Sequence, residues 1–393
     1  MLFFCRFLSY YGVSMNNIDK FFSKLLLIVI PLYFTQGAFF PSGGIISQAL
    51  MLIWLLIGLY YVKEYLKSKD GKSILGNAIL VFWIANIVYW YFSPRIVSNT
   101  GLSFTTFGDL KNLTVVMLTF FPFAILSKRG YISVKRLKKF LFLLLGAAII
   151  AFFVKRNDIQ NLYDLEITNN TAYYFVVVLP FIGCYFNKKF SFVFFAIIFV
   201  FLMLCGKRGA ILCAVISTIV FAIQYLAVNK RIKFSRIVSI LILILIIIYI
   251  SNTIFETSEL LQRKFEATRE GDSSARDFYY SALWKIFQES PLITQLFGHG
   301  MSQTVALVGG YAHNDWLELL TNNGILGVIM YAIIFITSSL IYLRSRSMWD
   351  NAMSYIYLSS LLCFFARSIF SMGYLAPESA LFVAGLATYY RKR

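Results

Sequence analysis

Residues 237–251, IVSILILILIIIYIS, and residues 325–343, ILGVIMYAIIFITSSLIYL, contain no charged side chain. A helix rises about 1.5 Å per residue, so roughly 20 apolar residues cross the ~30 Å hydrocarbon layer of a bilayer. Lipid offers no partner for backbone N–H and C=O groups, so such runs must be helical. The composition points the same way. Apolar residues make up 59% of the chain, aromatic residues 18% and charged residues only 14%, with a mean hydropathy of +0.72. That exceeds what the core of a water-soluble domain this size needs.

Twelve apolar segments are expected to span, centred near residues 30, 53, 83, 117, 147, 178, 198, 218, 244, 334, 361 and 383. The predicted fold class is therefore all-α, a single polytopic membrane domain over residues 1–393 with about 12 helices. Pro31, Pro122 and Pro180 interrupt three segments, which membrane helices tolerate when neighbours satisfy the freed backbone groups. The first apolar run, from Phe21, lacks a small-residue cleavage site and reads as a retained helix rather than a signal peptide. Initiation at Met1 and at Met15 are both compatible with this reading. Cys5, Cys184, Cys205, Cys213 and Cys363 show no C-x-x-C or metal spacing and read as buried thiols.

An even number of spans puts both termini on one side. Threading the charges through twelve spans places 24 of the 36 Lys and Arg residues on that side, with only Asp19, Glu64, Asp70 and Asp350 of the 18 acids. Basic residues concentrate in cytoplasmic loops, so both termini are expected in the cytoplasm. The net charge of +18 is then a topology signal and requires no nucleic-acid partner.

One connection is long. Asn252 to about Tyr311 lies on the opposite face, and the lobe 252–314 between spans nine and ten holds both histidines. Loops beyond about 12–15 residues are usually functional or disordered. This one carries helix signals: Ser274 and Asp277 have capping-box spacing, apolar residues recur through Phe278, Leu283, Ile286 and Phe287, and Pro291 follows. A second short helix is expected in AHNDWLELLTNNGILG, 312–327. There Asp315 and Glu318 form the capping box, Trp316 is an interfacial anchor and Asn322-Asn323-Gly324 a left-handed stop.

Three groups could carry chemistry. Arg208, in LCGKRGAIL, occupies a very short turn on the face that disfavours basic residues. Its guanidinium either snorkels to lipid headgroups or faces a polar cavity. Arg276 sits in the first turn of the loop helix, where free N–H groups and a planar fork suit phosphate; pairing with Asp277 is the bland reading. His313 has an ordinary pKa near 6.5 and so offers a proton acceptor at neutral pH, with Asn314 and Asp315 beside it to orient its ring. His299, between glycines in LFGHG, reads as a turn residue. Asp272, Asp277 and Asp315 contain no close acidic pair for a divalent cation, and no H-E-x-x-H, P-loop or G-x-S-x-G signature occurs.

The order of KRGA at 207–210, SSARDFYYSALWKIFQESPLITQLFGHG at 273–300 and AHNDWLELLTNNGILG at 312–327 resembles the O-antigen ligase and polymerase superfamily of bacterial envelope glycosyltransferases. The resemblance covers roughly 201–342. It implies transfer of a glycan from an undecaprenyl pyrophosphate carrier to an acceptor hydroxyl at the periplasmic face of the inner membrane, with inversion and without a metal or other cofactor. It also implies that Arg208, Arg276 and His313 are the catalytic groups, with Lys207, Asn314 and Asp315 as substrate-binding neighbours. Many relatives have Ser where this chain has Lys207 and an apolar residue where it has His299, which bears on substrate detail. Expected partners are lipid-linked oligosaccharides, membrane lipid and a chain-length regulator. The HNDWLELLTNNG form, the length and the Lys, Asn and Phe content resemble polymerases more than ligases. A flippase or other transporter is the competing class, but intramembrane charge pairs and repeated halves, which would mark one, are not evident in the sequence.

Overall fold

The structure, a computed structural model, describes residues 15–390 apart from 41–43, 69–71, 95–105, 158–169, 187 and 228–233; of residues 259–275 it describes Gln262, Glu266 and Arg269. The described residues are mostly helical and form no strand. In chain order the helices are α1 (Met15–Phe39), α2 (Ile45–Lys67), α3 (Ile74–Phe92), α4 (Thr106–Leu118), α5 (Phe120–Lys128), α6 (Val134–Asn157), α7 (Ala172–Val176), α8 (Phe190–Cys205), α9 (Arg208–Ala227) and α10 (Phe234–Thr257). They continue with α11 (Arg276–Glu289), α12 (Leu292–Phe297), α13 (Gln303–Val308), α14 (Asp315–Ser345), α15 (Asn351–Phe370) and α16 (Ala380–Ala387).

Each of the twelve apolar segments contains helix, and among the described residues eight helical stretches are long and apolar enough to cross a bilayer. The chemistry of proline and glycine explains where helices shorten. Pro180 has no N–H to give the carbonyl of Val176, and α7 ends at that residue before a 3₁₀ turn over Leu179–Tyr185. Pro122 similarly follows a break at Thr119 between α4 and α5. The Thr119 hydroxyl binds the Val115 carbonyl at 2.6 Å and receives the indole N–H of Trp54 at 2.9 Å. Polar groups exposed by the break are thus paired inside the bundle. Cys184, Cys205, Cys213 and Cys363 are buried, as expected, while Cys5 lies outside the described residues.

The two ends of the bundle differ. At one, Arg129 after α5 donates to Asp19 in α1 at 2.9 Å and to Glu64 in α2 at 3.3 Å. Tyr390, the last described residue, lines a pocket with Glu64 and Arg129. The first described helix therefore begins, and the last described turn finishes, at this basic end. At the opposite end α3 and α15 finish and α4, α9 and α14 begin, with α9 packed along α15.

Candidate active site

Four segments converge at that opposite end. The first is the turn after α8. Gly206 adopts a left-handed backbone (φ +60°) and its N–H meets the carbonyls of Leu202 and Met203 at 3.1 Å, which closes the helix and reverses the chain. Arg208 then becomes the first residue of α9. The second is α11, which starts at Arg276; the Ser274 cap expected before it lies outside the described residues. One turn on, the Tyr279 hydroxyl lies 2.8 Å from where a Cβ on Gly310 would sit, seating α11 against the segment that leads to His313.

The third segment is the start of α14, and here the cap differs from the expected one. Asn314, not Asp315, is the N-cap: its Oδ1 accepts from the N–H groups of Trp316 and Leu317 at 3.0 and 3.2 Å. Asp315 is fully buried, and its oxygens accept from Gly373 N–H (2.7 Å), Tyr374 N–H (3.0 Å) and the Tyr331 hydroxyl (2.7 Å). Glu318 reaches back to the N–H of Ala312. Asp315 therefore anchors α14 to the chain after α15, with its carboxylate oxygens taken by those partners. Trp316 also departs from the anchor role. It packs inward against Tyr331, Phe335 and Phe365, and its indole N–H donates to Ser368 at 3.0 Å.

The fourth segment is the end of α15, where the Phe370 Cβ lies 3.6 Å from the Cβ position of Gly209. Arg208, Gly209, Arg276, Tyr280, Asn314 and Phe370 line one cleft of about 390 Å³. Two guanidinium-bearing residues 68 positions apart thus open onto a common space. Asp277 borders it too, and Lys207 donates to Asn170 at 3.1 Å nearby in sequence to the turn.

His313 stands next to this lining and reaches solvent. Its backbone is left-handed (φ +53°), which for a residue other than glycine costs on the order of 1–3 kcal/mol and persists only where the surroundings impose it. Partial burial of the imidazole by surrounding protein, and secondarily the positive charges of Lys207 and Arg276, hold its pKa below the ordinary value. All three effects disfavour the imidazolium, so the ring is neutral and able to accept a proton at pH 7.

Behind the cleft, a kink in α14 ties the remaining loop to the bundle. Gly324 has φ +67° and ψ −168°, and the carbonyls before it lose their helical partners. His299 and Gly300 N–H groups take the carbonyls of Thr321 (2.9 Å) and Asn322 (2.8 Å), and the Tyr89 hydroxyl takes that of Asn323 (2.9 Å). His299 thus serves the turn, with its Nε2 3.1 Å from the Ser290 hydroxyl. On the other side, Asp109 binds the hydroxyls of Ser302 and Tyr311, fixing the strand of chain that leads to His313.

Sequence reasoning did not single out Arg367, a buried cation at the end of α15. It pairs with Glu378, donates through Nε to the Met372 carbonyl at 3.1 Å and lies 4.1 Å from the Tyr173 ring centroid. The Tyr173 hydroxyl in turn sits 3.2 Å from the Gly209 Cβ position. Arg367 therefore backs the arginine turn on one side and the segment holding Asp315 on the other. An ionisable residue inside an apolar span was the available signal. Among the described residues, no three His, Cys, Asp or Glu side chains are placed to share a metal ion; Asp272 lies outside them.

Residues 193–332 match the family model described as O-antigen ligase. The motif resemblance therefore holds over the stretch that contains Arg208, Arg276 and His313, and it supports an O-antigen ligase or polymerase type of function. No curated protein matches the chain.

Proposed function

We propose that the chain is a membrane glycosyltransferase that moves a glycan from a polyprenyl pyrophosphate carrier onto the sugar hydroxyl of another lipid-linked repeat unit. The reading rests on one observation: Arg208 and Arg276 open onto a single cleft beside His313. In a single displacement the acceptor oxygen bonds to the anomeric carbon as the bond from that carbon to the pyrophosphate oxygen breaks, which inverts the configuration. His313 takes the hydroxyl proton, a role typically worth about 10²–10⁴ in rate. Charge builds on the departing pyrophosphate, already a good leaving group, and the two guanidinium groups offset it. Unit charges about 4 Å apart in an effective dielectric of about 20 interact by roughly 4 kcal/mol.

The proposed topology has the basic end and both termini in the cytoplasm and the cleft on the periplasmic side of a bacterial inner membrane. What supports it is the bias of Lys and Arg toward one face of the threaded chain, together with the position of the cleft at the end away from Asp19, Arg129 and Tyr390. Lys207 and Asn314 are proposed to contact the substrates.

Transfer to lipid A core, the ligase reaction, uses the same donor chemistry and is the second reading, favoured by the match to the O-antigen ligase family. A knockout in the native strain, with its lipopolysaccharide separated on a gel, tests both. A core bearing a single repeat identifies a polymerase, whereas a bare core with polymer left on its carrier identifies a ligase. Complete loss of surface glycan would instead point to transport. Complementation by His313→Ala, Arg208→Ala or Arg276→Ala is expected to fail although each protein is made, and full rescue by any of them removes that residue from the mechanism.

A further inference from the structure

At the basic end, far from the cleft, α8 and α10 leave a groove of about 600 Å³ between them with Tyr225 of α9 on its wall. Of the eight span-length helices α10 is the least covered by protein, with 11% of its apolar window buried. Both α8 and α10 start at this end and run the same way. Lys189, Ser235 and Ser239 consequently form the rim, and Val193, Ile197 and Ile246 lie deeper. From Lys189 to Ile197, and from Ser235 to Ile246, the helical rise gives about 12–17 Å, close to the ~15 Å of one hydrocarbon leaflet.

The rim is cationic. Lys189 is exposed, and the Arg236 guanidinium is held 5.4 Å from the Tyr225 ring centroid and 3.3 Å from the Tyr225 carbonyl. Among the described residues neither Lys189 nor Arg236 has an acidic partner. Lys188, also exposed, precedes Lys189 in the chain. A groove with a basic rim and an apolar interior one leaflet deep matches one molecular shape, a phosphate headgroup on acyl chains.

We propose that this groove binds one anionic glycerophospholipid, with its phosphate at Lys189 and Arg236 and an acyl chain along Val193, Ile197 and Ile246. The lipid fills the gap beside α10, the helix that leads into the loop bearing Arg276, and so braces the most weakly packed span. The site is separate from the cleft, and its test does not depend on the reaction proposed above.

The test is thermal unfolding of the full chain in a neutral detergent. Phosphatidylglycerol, phosphatidylcholine with the same acyl chains, and inorganic phosphate are compared as additives. Phosphatidylglycerol is expected to raise Tm by about 3 °C or more beyond phosphatidylcholine, since a ligand that binds only the folded state stabilises it by mass action. Phosphate alone should do nothing. The difference between the two lipids should disappear in the Lys189→Gln/Arg236→Gln double variant and in Ala196→Trp, which blocks the groove, and persist in Lys189→Arg. Native mass spectrometry provides a second readout for any variant too unstable to melt cleanly: a retained phosphatidylglycerol adduct in wild type, lost in Lys189→Gln. Equal shifts with both lipids, a shift with phosphate alone, or a phosphatidylglycerol effect that survives both changes overturns the site. So does a dimer broken by Ala196→Trp with no lipid effect, because a second chain would then occupy the groove.

Discussion

Gly324→Ala is a severe test of how the cleft end is held together. At φ +67° and ψ −168° the backbone occupies a region open essentially only to glycine, and another residue there costs on the order of 1–3 kcal/mol. Space is the second difficulty. A Cβ at 324 would lie 2.4 Å from the backbone carbon and oxygen of Leu296 and 2.6 Å from the nitrogen of Gly298. These are backbone atoms, so the 296–298 segment must move as a unit. That movement pulls the His299 and Gly300 N–H groups away from the Thr321 and Asn322 carbonyls. Each bond contributes roughly 0.5–1.5 kcal/mol, more if the freed carbonyl stays buried. The expected loss is about 2–6 kcal/mol, a large part of a typical total stability of about 5–15 kcal/mol. Gly146→Ala, in the interior of α6 with nothing within 4 Å of its Cβ position, is the control and should be neutral or stabilise by up to about 1 kcal/mol. Thermal unfolding of the purified proteins in one detergent compares them. A Gly324→Ala melt within about 1 °C of wild type would falsify the claim that the kink and the 298–300 turn form one interlocked unit.

The same site supports further measurable outcomes. His313 must be neutral to accept a proton, so activity should fall as pH drops through its pKa, and because that pKa lies below the ordinary His value the acid limb should lie below about pH 6.5. Removing the positive charge in Lys207→Met raises the pKa and should move the limb to higher pH; rates of glycan transfer from lipid-linked oligosaccharide extracted from the knockout strain, measured across pH, would expose an unmoved limb. Arg276→Lys keeps the charge but not the planar fork, and a drop of about tenfold or more in that assay is expected; an unchanged rate would mean that charge alone suffices. Arg367→Met leaves the half-buried Glu378 without its partner and should cost about 1–3 kcal/mol in unfolding, whereas the double change Arg367→Met/Glu378→Leu should recover most of it. Equal losses in the single and double variants would show that the ion pair is not the source.

The length of the apolar runs made the twelve helical segments legible, because in lipid the backbone has almost no alternative to the helix. The loop helix was legible as well, since its apolar spacing and the proline at 291 are local signals, and α11 runs from Arg276 to Glu289 before Pro291. What could not be read locally are choices settled by partners distant in sequence. Asn314 and Asp315 are both good N-cap residues, and the spacing of Asp315 to Glu318 locally favours Asp315. The choice is made 58 residues away, where the N–H groups of Gly373 and Tyr374 claim the Asp315 carboxylate and leave the cap to Asn314. Gly324 offers a parallel case: a glycine after two asparagines reads as a helix stop, but the chain resumes its helix because the 298–300 turn satisfies the carbonyls that the break exposes. Arg367 belongs to the same class, since its ring contact with Tyr173 joins segments that the sequence keeps far apart. The catalytic candidates sit at the junctions of these long-range pairings, so their residue types were readable in the sequence while their relative placement had to come from the fold.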